Sequence, residues 1–580
     1  MTPGPHGLGP RLPGFGRRGV RGVSATHAAW AGWALAALIP LSFLALFFAW
    51  PVVALVMRGF VSDGTVDLTG FADVLGRPRT WRLIGLTLAQ SVLGTTFALL
   101  AGLPVAFLLY RRAFPGRSLL RGLVTVPFVL PTVVVGVAFR SLFVPDGVLG
   151  FLGLEETLGG IVVALVFFNL SVVVRTVGGL WERLDPRAEQ AAAALGASPR
   201  RVWWTVTLPS LAPALVSAAS VVFLFCATAF GVVMVLGGAR YGTVETEIWV
   251  RTTQFLDLRS AAVLSILQLV VVAAALTISA RTRGRREAAL HLVSDKASAQ
   301  ALGRTRGDAA AVAATAAVVG GLILLPLGGL LLRSFQGPDG RIGLANYTAL
   351  GTTGERGALT VTVWEALGNS LRTAAWACAI ALVVGGLVAL VASRRPRRTG
   401  ARRAVSLLDG LFMLPLGVSA VTVGFGFLVT LDQPLGIEYD LRTSPALVPI
   451  AQAVVAVPLV TRTVLPVLRA IDPRLREVAG TLGAGPGAVL RTVDLPLAAR
   501  SLGLAVGFAF AVSLGEFGAT SFLVRPQSAT LPVVIFRLIG RPGAENYGMA
   551  LAASVVLAAL TAVVMMLAER LRGDHGGGEF

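Results

Sequence analysis

The chain has 580 residues, of which 55% are hydrophobic and only 14% are charged, and its formal net charge is +20. Ordinary globular proteins carry about 25% charged residues. No water-soluble core hides so much apolar surface, so the composition excludes a soluble multidomain protein and predicts a polytopic membrane protein. Nucleic acid is not indicated as a partner, because the arginines punctuate apolar runs and do not cluster on one solvated face.

Twelve apolar segments are long enough to cross a bilayer, which takes about 20 helical residues. They are residues 32–57, 84–110, 119–143, 159–180, 211–237, 260–280, 309–332, 368–393, 405–430, 444–468, 498–523 and 546–568. Pro131 and Pro415 fall inside two of them and predict kinks. The predicted fold class is therefore an all-α polytopic membrane protein with about twelve transmembrane helices.

The basic residues predict the orientation. With the N-terminus in the cytoplasm, this topology places about two-thirds of the 50 Lys and Arg residues on the cytoplasmic side. Both termini are therefore expected in the cytoplasm. The basic pair Arg17-Arg18 precedes an apolar run that is too long for the core of an export signal, so it is interpreted as an anchor for the first helix.

The chain contains an internal repeat. At a shift of 287 residues, 15 of the 31 residues from Asp185 to Leu215 are identical to those from Asp472 to Leu502. An even number of helices per copy gives both copies the same orientation, so the chain is predicted to be two parallel six-helix repeats with a translocation path between them. The predicted parts are a cytoplasmic basic N-tail (1–29), a first repeat (30–280), a cytoplasmic linker (281–307), a second repeat (308–569) and a cytoplasmic C-tail (570–580).

The most similar part of the repeat is a cytoplasmic loop, residues 185–209 and 472–496. Each copy predicts a short helix, 188–195 or 475–482, that Gly196 or Gly483 ends. A second short helix is expected to run to Pro209 or Pro496. This helix-Gly-helix unit is shaped to dock into a groove on a soluble partner; the alternative is an ordinary connecting loop.

The pattern Glu-Ala-Ala, three residues, Gly, and a downstream Leu-Pro resembles the coupling loop of binding-protein-dependent ABC importer permeases. In that family the loop fits a cleft on the ATPase subunit. The glutamate position, six residues before the glycine, holds Glu477 in the second loop but Gln190 in the first, where Glu189 stands one position early. The resemblance implies these ATPase-coupling residues: Glu189, Gln190, Ala191, Ala192, Gly196 and Pro209 in the first loop, and Glu477, Ala479, Gly483 and Pro496 in the second.

The resemblance covers nearly the whole chain and extends to fused permeases of the thiamine and ferric-iron importers. The segments FPGRSLLR (114–121), FVLP (128–131) and VFFNL (166–170) resemble the thiamine branch, so thiamine is the expected cargo and ferric iron the alternative. The implied partners are an ABC ATPase homodimer, which binds the ATP and Mg, and an extracytoplasmic solute-binding protein. The implied location is the bacterial cytoplasmic membrane.

Glu516 is the most informative intramembrane charge, because a carboxylate in hydrocarbon is costly and normally faces a partner or a wet cavity. With Phe517 and its repeat equivalent Phe230, it is a candidate for the translocation path, where it favours a cationic cargo. The alternative is a structural hydrogen bond.

No cofactor is expected on this chain. The single lysine, Lys296, does not lie in a GxxxxGK[ST] phosphate loop, so the chain is predicted to be a transport subunit without an ATPase site, not an enzyme. No His, Cys and carboxylate residues have metal-ligand spacing. An ion-driven secondary transporter is the more distant alternative, and the scarcity of intramembrane carboxylates, Asp409 and Glu516, counts against it.

Overall fold

A computed structural model describes residues 35–62, 65–238, 240–284, 300–303, 305–394, 399–434 and 440–570 of the chain. The first half is helical. Its helices are α1 (Leu35–Phe60), α2 (Thr69–Gly76), α3 (Pro78–Arg111), α4 (Arg117–Val129), α5 (Thr132–Phe143), α6 (Leu158–Arg183), α7 (Arg187–Ala194), α8 (Pro199–Ala227), α9 (Gly231–Leu236), α10 (Val244–Thr253) and α11 (Leu258–Gly284).

The second half repeats this order. Its helices are α12 (Arg306–Ser334), α13 (Ala345–Ala349), α14 (Val363–Ala392), α15 (Thr399–Met413), α16 (Ala420–Thr430), α17 (Leu447–Ala470), α18 (Pro473–Thr481), α19 (Pro486–Gly515), α20 (Thr520–Leu523), α21 (Leu531–Ile539) and α22 (Ala544–Arg570). Short 3-10 turns occupy Gly150–Leu152, Glu355–Gly357, Leu414–Gly417, Leu441–Thr443 and Pro526–Ser528. Two-residue strands pair β1 (Val61–Ser62) antiparallel to β2 (Thr65–Val66), and β3 (Arg112–Ala113) parallel to β4 (Gln300–Ala301).

The prediction of an all-α polytopic membrane protein is confirmed. Ten helices of the described residues are long and apolar enough to span a membrane, or eleven if the bent pair α4–α5 counts as one span. The prediction of single helices over 119–143 and 405–430 is wrong. The first bends by 103° between α4 and α5, beside Pro131, and the second divides into α15 and α16 around the 3-10 turn that contains Pro415.

Two further segments predicted as single helices, 211–237 and 498–523, are also interrupted. α8 ends at Ala227 and α9 begins at Gly231, while α19 ends at Gly515 and α20 begins at Thr520. After each break the backbone packs closely on another interrupted helix of the same half: α5 in the first half and α16 in the second. A Cβ on Gly231 would lie 2.3 Å from Thr132 Oγ1, and one on Gly518 would lie 2.9 Å from Ala420 Cβ. Only glycine permits these approaches.

In the part of the chain that the structure describes, four spanning helices contain a π-helical turn that ends two residues before a proline. The turns are Ala45–Ala49 before Pro51, Trp203–Thr207 before Pro209, Val319–Leu324 before Pro326, and Leu490–Asp494 before Pro496. Proline lacks an N–H and its ring clashes with the carbonyl four residues earlier, and a π turn shifts the bonding by one residue to absorb both defects. The prediction of a second short helix that ends at Pro209 or Pro496 is therefore wrong. The loop helix continues into the spanning helices α8 and α19.

The two halves interlock, because the first helix of each half packs on the other half. α1 contacts α16, where the rings of Phe47 and Phe427 lie 6.2 Å apart, and α12 contacts α3 and α5. The ion pair between Arg112 and Asp308 joins the end of α3 to the start of α12 at 2.7 Å. Of the predicted connecting parts, the N-tail, residues 285–299 and 304 of the linker, and residues 571–580 of the C-tail lie outside the described residues.

Candidate coupling loops and translocation path

Each repeated loop has the same glycine-terminated helix. Gly196 ends α7 with φ +83° and Gly483 ends α18 with φ +88°, in the left-handed region that favours glycine. Ala192 O accepts from Ala197 N at 3.1 Å and Ala479 O accepts from Ala484 N at 3.0 Å, which is the six-to-one bond of a Schellman motif. The predicted short helix that ends at each glycine is confirmed as local structure.

The tip of each loop is exposed and partly apolar. Leu195 is 89% exposed and Leu482 is 83% exposed, directly before the two glycines. The residues at the family's glutamate position, Gln190 and Glu477, are both exposed, as is Ala191. These side chains face away from the helix bundle and are available to a partner.

Glu189 does not replace the missing glutamate, because its side chain points back to the bundle. Its Oε2 accepts from Arg111 Nη2 at 2.7 Å, and its Oε1 accepts from Thr207 Oγ1 at 2.8 Å. Arg111 is the last residue of α3, and its side chain is only 6% exposed. Through these two hydrogen bonds Glu189 anchors α7 to the end of α3 and to the first turns of α8.

The second loop has an equivalent anchor built from residues of different charge. Arg476, the repeat equivalent of Glu189, donates from Nε to Asp494 Oδ1 at 2.7 Å. Asp494 is the repeat equivalent of Thr207, is fully buried, and its Oδ2 also accepts from Arg394 Nη2 at 2.7 Å. Burial lowers the pKa of the Arg394 guanidinium, and the neighbouring Asp494 carboxylate opposes that shift.

Sequence reasoning missed this anchor, although a signal was present. The repeat aligns Glu189 with Arg476 and Thr207 with Asp494, so both aligned pairs change charge together. Arg111 and Arg394 each begin an Arg-Arg pair after a spanning segment. Such a joint change is expected of residues in contact, because the arginine that replaces the glutamate needs an acceptor, and the aspartate supplies one in place of the threonine hydroxyl that donates in the first loop.

Aromatic residues from the two halves meet in equivalent pairs. The Phe230 and Phe517 rings stack with centroids 5.2 Å apart and planes 21° apart. Trp249 of α10 contacts its repeat equivalent Phe536 of α21 edge-on at 5.9 Å, and Phe536 lies 5.2 Å from Phe517. Equivalent residues touch each other only at the axis that relates the halves. The two predicted phenylalanines therefore lie at the centre of the interface between the halves.

Glu516, the third predicted path residue, is only 7% exposed and caps a helix turn. Its Oε1 accepts from Ala519 N at 2.7 Å, and its Oε2 accepts from Thr520 N at 3.0 Å and from Thr520 Oγ1. The carboxylate thus satisfies the backbone N–H groups that the break between α19 and α20 leaves without helical partners.

Two carboxylates in α10 were not among the predicted site residues. Glu245 is fully buried, and its Oε2 accepts from Ser419 Oγ of the other half at 2.7 Å. Glu247 is 4% exposed and forms ion pairs with Arg79 at 2.8 Å and Arg251 at 2.9 Å. No sequence signal marked them, because α10 is short and lies between predicted spans, where acidic residues are ordinarily solvated.

Two segments, residues 94–286 and 388–573, match the family described as binding-protein-dependent transport system inner membrane component. These segments make up most of the chain and fall one in each half. The chain belongs to this family. It is a multi-pass permease subunit of an ABC importer, with two copies of the family domain in one polypeptide.

The chain is similar over most of its length to fused permeases. It is 26% identical over 504 residues to a thiamine transport system permease protein of Brucella abortus (strain 2308), covering 84% of this chain and 87% of that protein. The corresponding protein of Escherichia coli (strain K12) is 26% identical over 505 residues, 85% of this chain and 90% of that protein.

Shorter similarities also occur. A sulfate transport system permease protein of Salmonella typhimurium is 35% identical over 224 residues, 37% of this chain and 79% of that protein. A solved bacterial ABC transporter involved in the import of the acidic polysaccharide alginate has a TM-score of 0.40 at 16% identity, and the match covers 46% of this chain and 99% of that one.

Proposed function

We propose that this chain moves thiamine across the bacterial cytoplasmic membrane, using ATP that a separate ATPase homodimer hydrolyses and cargo that an extracytoplasmic binding protein delivers. Two relatives named as thiamine permeases support the cargo, since each matches more than four-fifths of the chain. Aromatic rings at the interface between the halves also support it, because thiamine carries two flat rings and one of them is a cation.

The proposed mechanism depends on α8 and α19 being continuous helices. α8 runs from Pro199 in the first loop to Ala227, three residues before Phe230. α19 runs from Pro486 in the second loop to Gly515, two residues before Phe517. At 1.5 Å per residue each helix is about 45 Å long, so one rigid element links each loop to one ring of the central stack.

Movement of the two loops therefore moves the two phenylalanines. When the ATPase dimer closes, it draws the exposed loop tips together, and α8 and α19 pivot as levers. ATP-bound closure then favours one separation of the rings and hydrolysis restores the other, which is a population shift between two arrangements of the halves. The anchors at Glu189 and Arg476 make each loop helix move with the spanning helices.

Orientation in the membrane follows from the same assignment. The loops lie at the cytoplasmic face of the membrane, as the two termini do. The first residues of α3 and α14, at the ends away from the loops, lie at the outer face. The match to a binding-protein-dependent transport family counts against the alternative of an ion-driven secondary transporter. Ferric iron and, from the shorter similarity, sulfate are the competing cargoes.

The test is reconstitution. The chain is purified with its ATPase and binding protein and placed in liposomes, and uptake and ATP hydrolysis are measured with labelled thiamine, ferric ion or sulfate. We expect thiamine to be taken up and to stimulate hydrolysis, while the other two solutes do neither. Uptake of sulfate or ferric ion in place of thiamine would refute the cargo, and failure to bind any ATPase would refute the coupling.

A further inference from the structure

Glu245 is a buried carboxylate that faces the second half without a cationic partner. Its side chain is fully buried, and Ser419 Oγ donates to its Oε2 at 2.7 Å. Its Oε1 receives no hydrogen bond of ordinary geometry, and the Gln268 amide beside it donates to Ala227 O at 2.9 Å. Among the described residues, no arginine forms an ion pair with Glu245.

In the same helix, the charge of the nearby Glu247 is balanced by two arginines. Arg79 and Arg251 both pair with it, at 2.8 and 2.9 Å. A buried charge without such a partner costs several kcal/mol in a protein interior, so an unpaired carboxyl in this place holds a proton until it meets water or a cation. Arg251 lies six residues further along α10 and pairs with Glu247, so Glu245 takes no part in the ion pairs that hold this helix.

The position of Glu245 places it beside the central aromatic pairs. Trp249, one turn further along α10, contacts Phe536 at the axis between the halves. Ser419 precedes Ala420, which packs on Gly518, the residue after Phe517. The repeat holds Pro532 where the first half holds Glu245, so the second half has no carboxylate at the equivalent position.

We propose that Glu245 is the counter-charge for a cationic cargo as it passes between the two halves. Because the Ser419 bond crosses from one half to the other, it breaks when the halves separate and the carboxylate becomes open to the path. A flat organic cation then meets a carboxylate and aromatic faces together, which is the pairing that stabilises a cation with few N–H donors. This inference rests on the proposed function.

Glu516 does not serve this purpose in the described arrangement. Both of its carboxylate oxygens accept backbone N–H bonds from Ala519 and Thr520, so its charge is already stabilised by its own chain. The structure thus assigns the two acidic residues near the axis to different tasks: Glu516 holds a helix turn, and Glu245 supplies charge to the cargo.

The test compares Glu245→Gln with Glu245→Asp and Ser419→Ala in the reconstituted complex. Glu245→Gln keeps the size and the hydrogen bonding of a buried neutral carboxyl, so it is expected to fold with an unchanged thermal midpoint. We expect it to lower thiamine uptake at saturating loaded binding protein at least tenfold while ATP hydrolysis is still stimulated. Glu245→Asp and Ser419→Ala keep the charge, and we expect each to retain uptake within about threefold.

The outcomes separate this inference from the proposed function. Normal thiamine uptake by Glu245→Gln would overturn the role of Glu245 and leave the thiamine importer intact. Equal losses in Glu245→Gln and Ser419→Ala would also overturn it, since the hydrogen bond and not the charge would then matter. Uptake of sulfate in place of thiamine by the unmodified complex would overturn both, because an anion needs no carboxylate.

Discussion

Replacing Asp494 with threonine should detach the second coupling loop from the bundle. The two bonds that Asp494 accepts, from Arg476 and Arg394, are both 2.7 Å long. A hydrogen bond between charged groups contributes about 1.5–3 kcal/mol. Both arginine side chains are partly exposed, at 16% and 28%, so water compensates much of the loss. We therefore expect a local cost of about 2 kcal/mol, or roughly 30-fold in the population of the anchored loop.

The first half supplies the matched rescue. There Glu189 and Thr207 occupy the equivalent positions, and Arg111 holds them. Combining Asp494→Thr with Arg476→Glu transfers this set to the second half, where Arg394 takes the part of Arg111. We expect Asp494→Thr alone to lower thiamine uptake per ATP hydrolysed at least fivefold, and the double variant to recover more than half of the loss.

The assay is uptake and hydrolysis measured together in liposomes, because loss of coupling changes their ratio and loss of protein does not. Asp440→Thr is the control. Asp440 pairs with Arg442, but both side chains are 39% exposed, so water compensates for the loss of the pair and the ratio should be unchanged. An unchanged ratio in Asp494→Thr, or no recovery in the double variant, would refute the anchor.

Three further substitutions test the loop and the interface. Gly483→Asp, at φ +88°, should abolish uptake while the membrane content of the chain is unchanged; normal uptake would contradict the coupling role. Phe517→Ala removes one ring of the 5.2 Å stack and should let thiamine leak into liposomes without ATP; tight liposomes would show that another constriction closes the path. Glu516→Gln should lower stability by about 1–2 kcal/mol with uptake kinetics unchanged, and altered cargo affinity would place it in the path.

Local and repeated features were predictable from the sequence. Apolar runs determine where helices lie in a bilayer, because lipid offers the backbone no hydrogen-bond partners. The helix ends at Gly196 and Gly483 were also predictable, since the left-handed conformation of a Schellman motif is a property of a few adjacent residues. The repeat predicted two equivalent halves, and with them the equivalence of Phe230 and Phe517.

Only the tertiary structure decided where helices break and which way polar side chains point. The turn beside Pro131 and the breaks at Glu516 and Thr228 depend on another helix approaching the backbone, and hydropathy does not detect that approach. Glu189 points inward because Arg111, 78 residues away, pairs with it. The burial of Glu245 depends on the other half of the chain, since a charge is buried or solvated according to its neighbours in space and not in sequence.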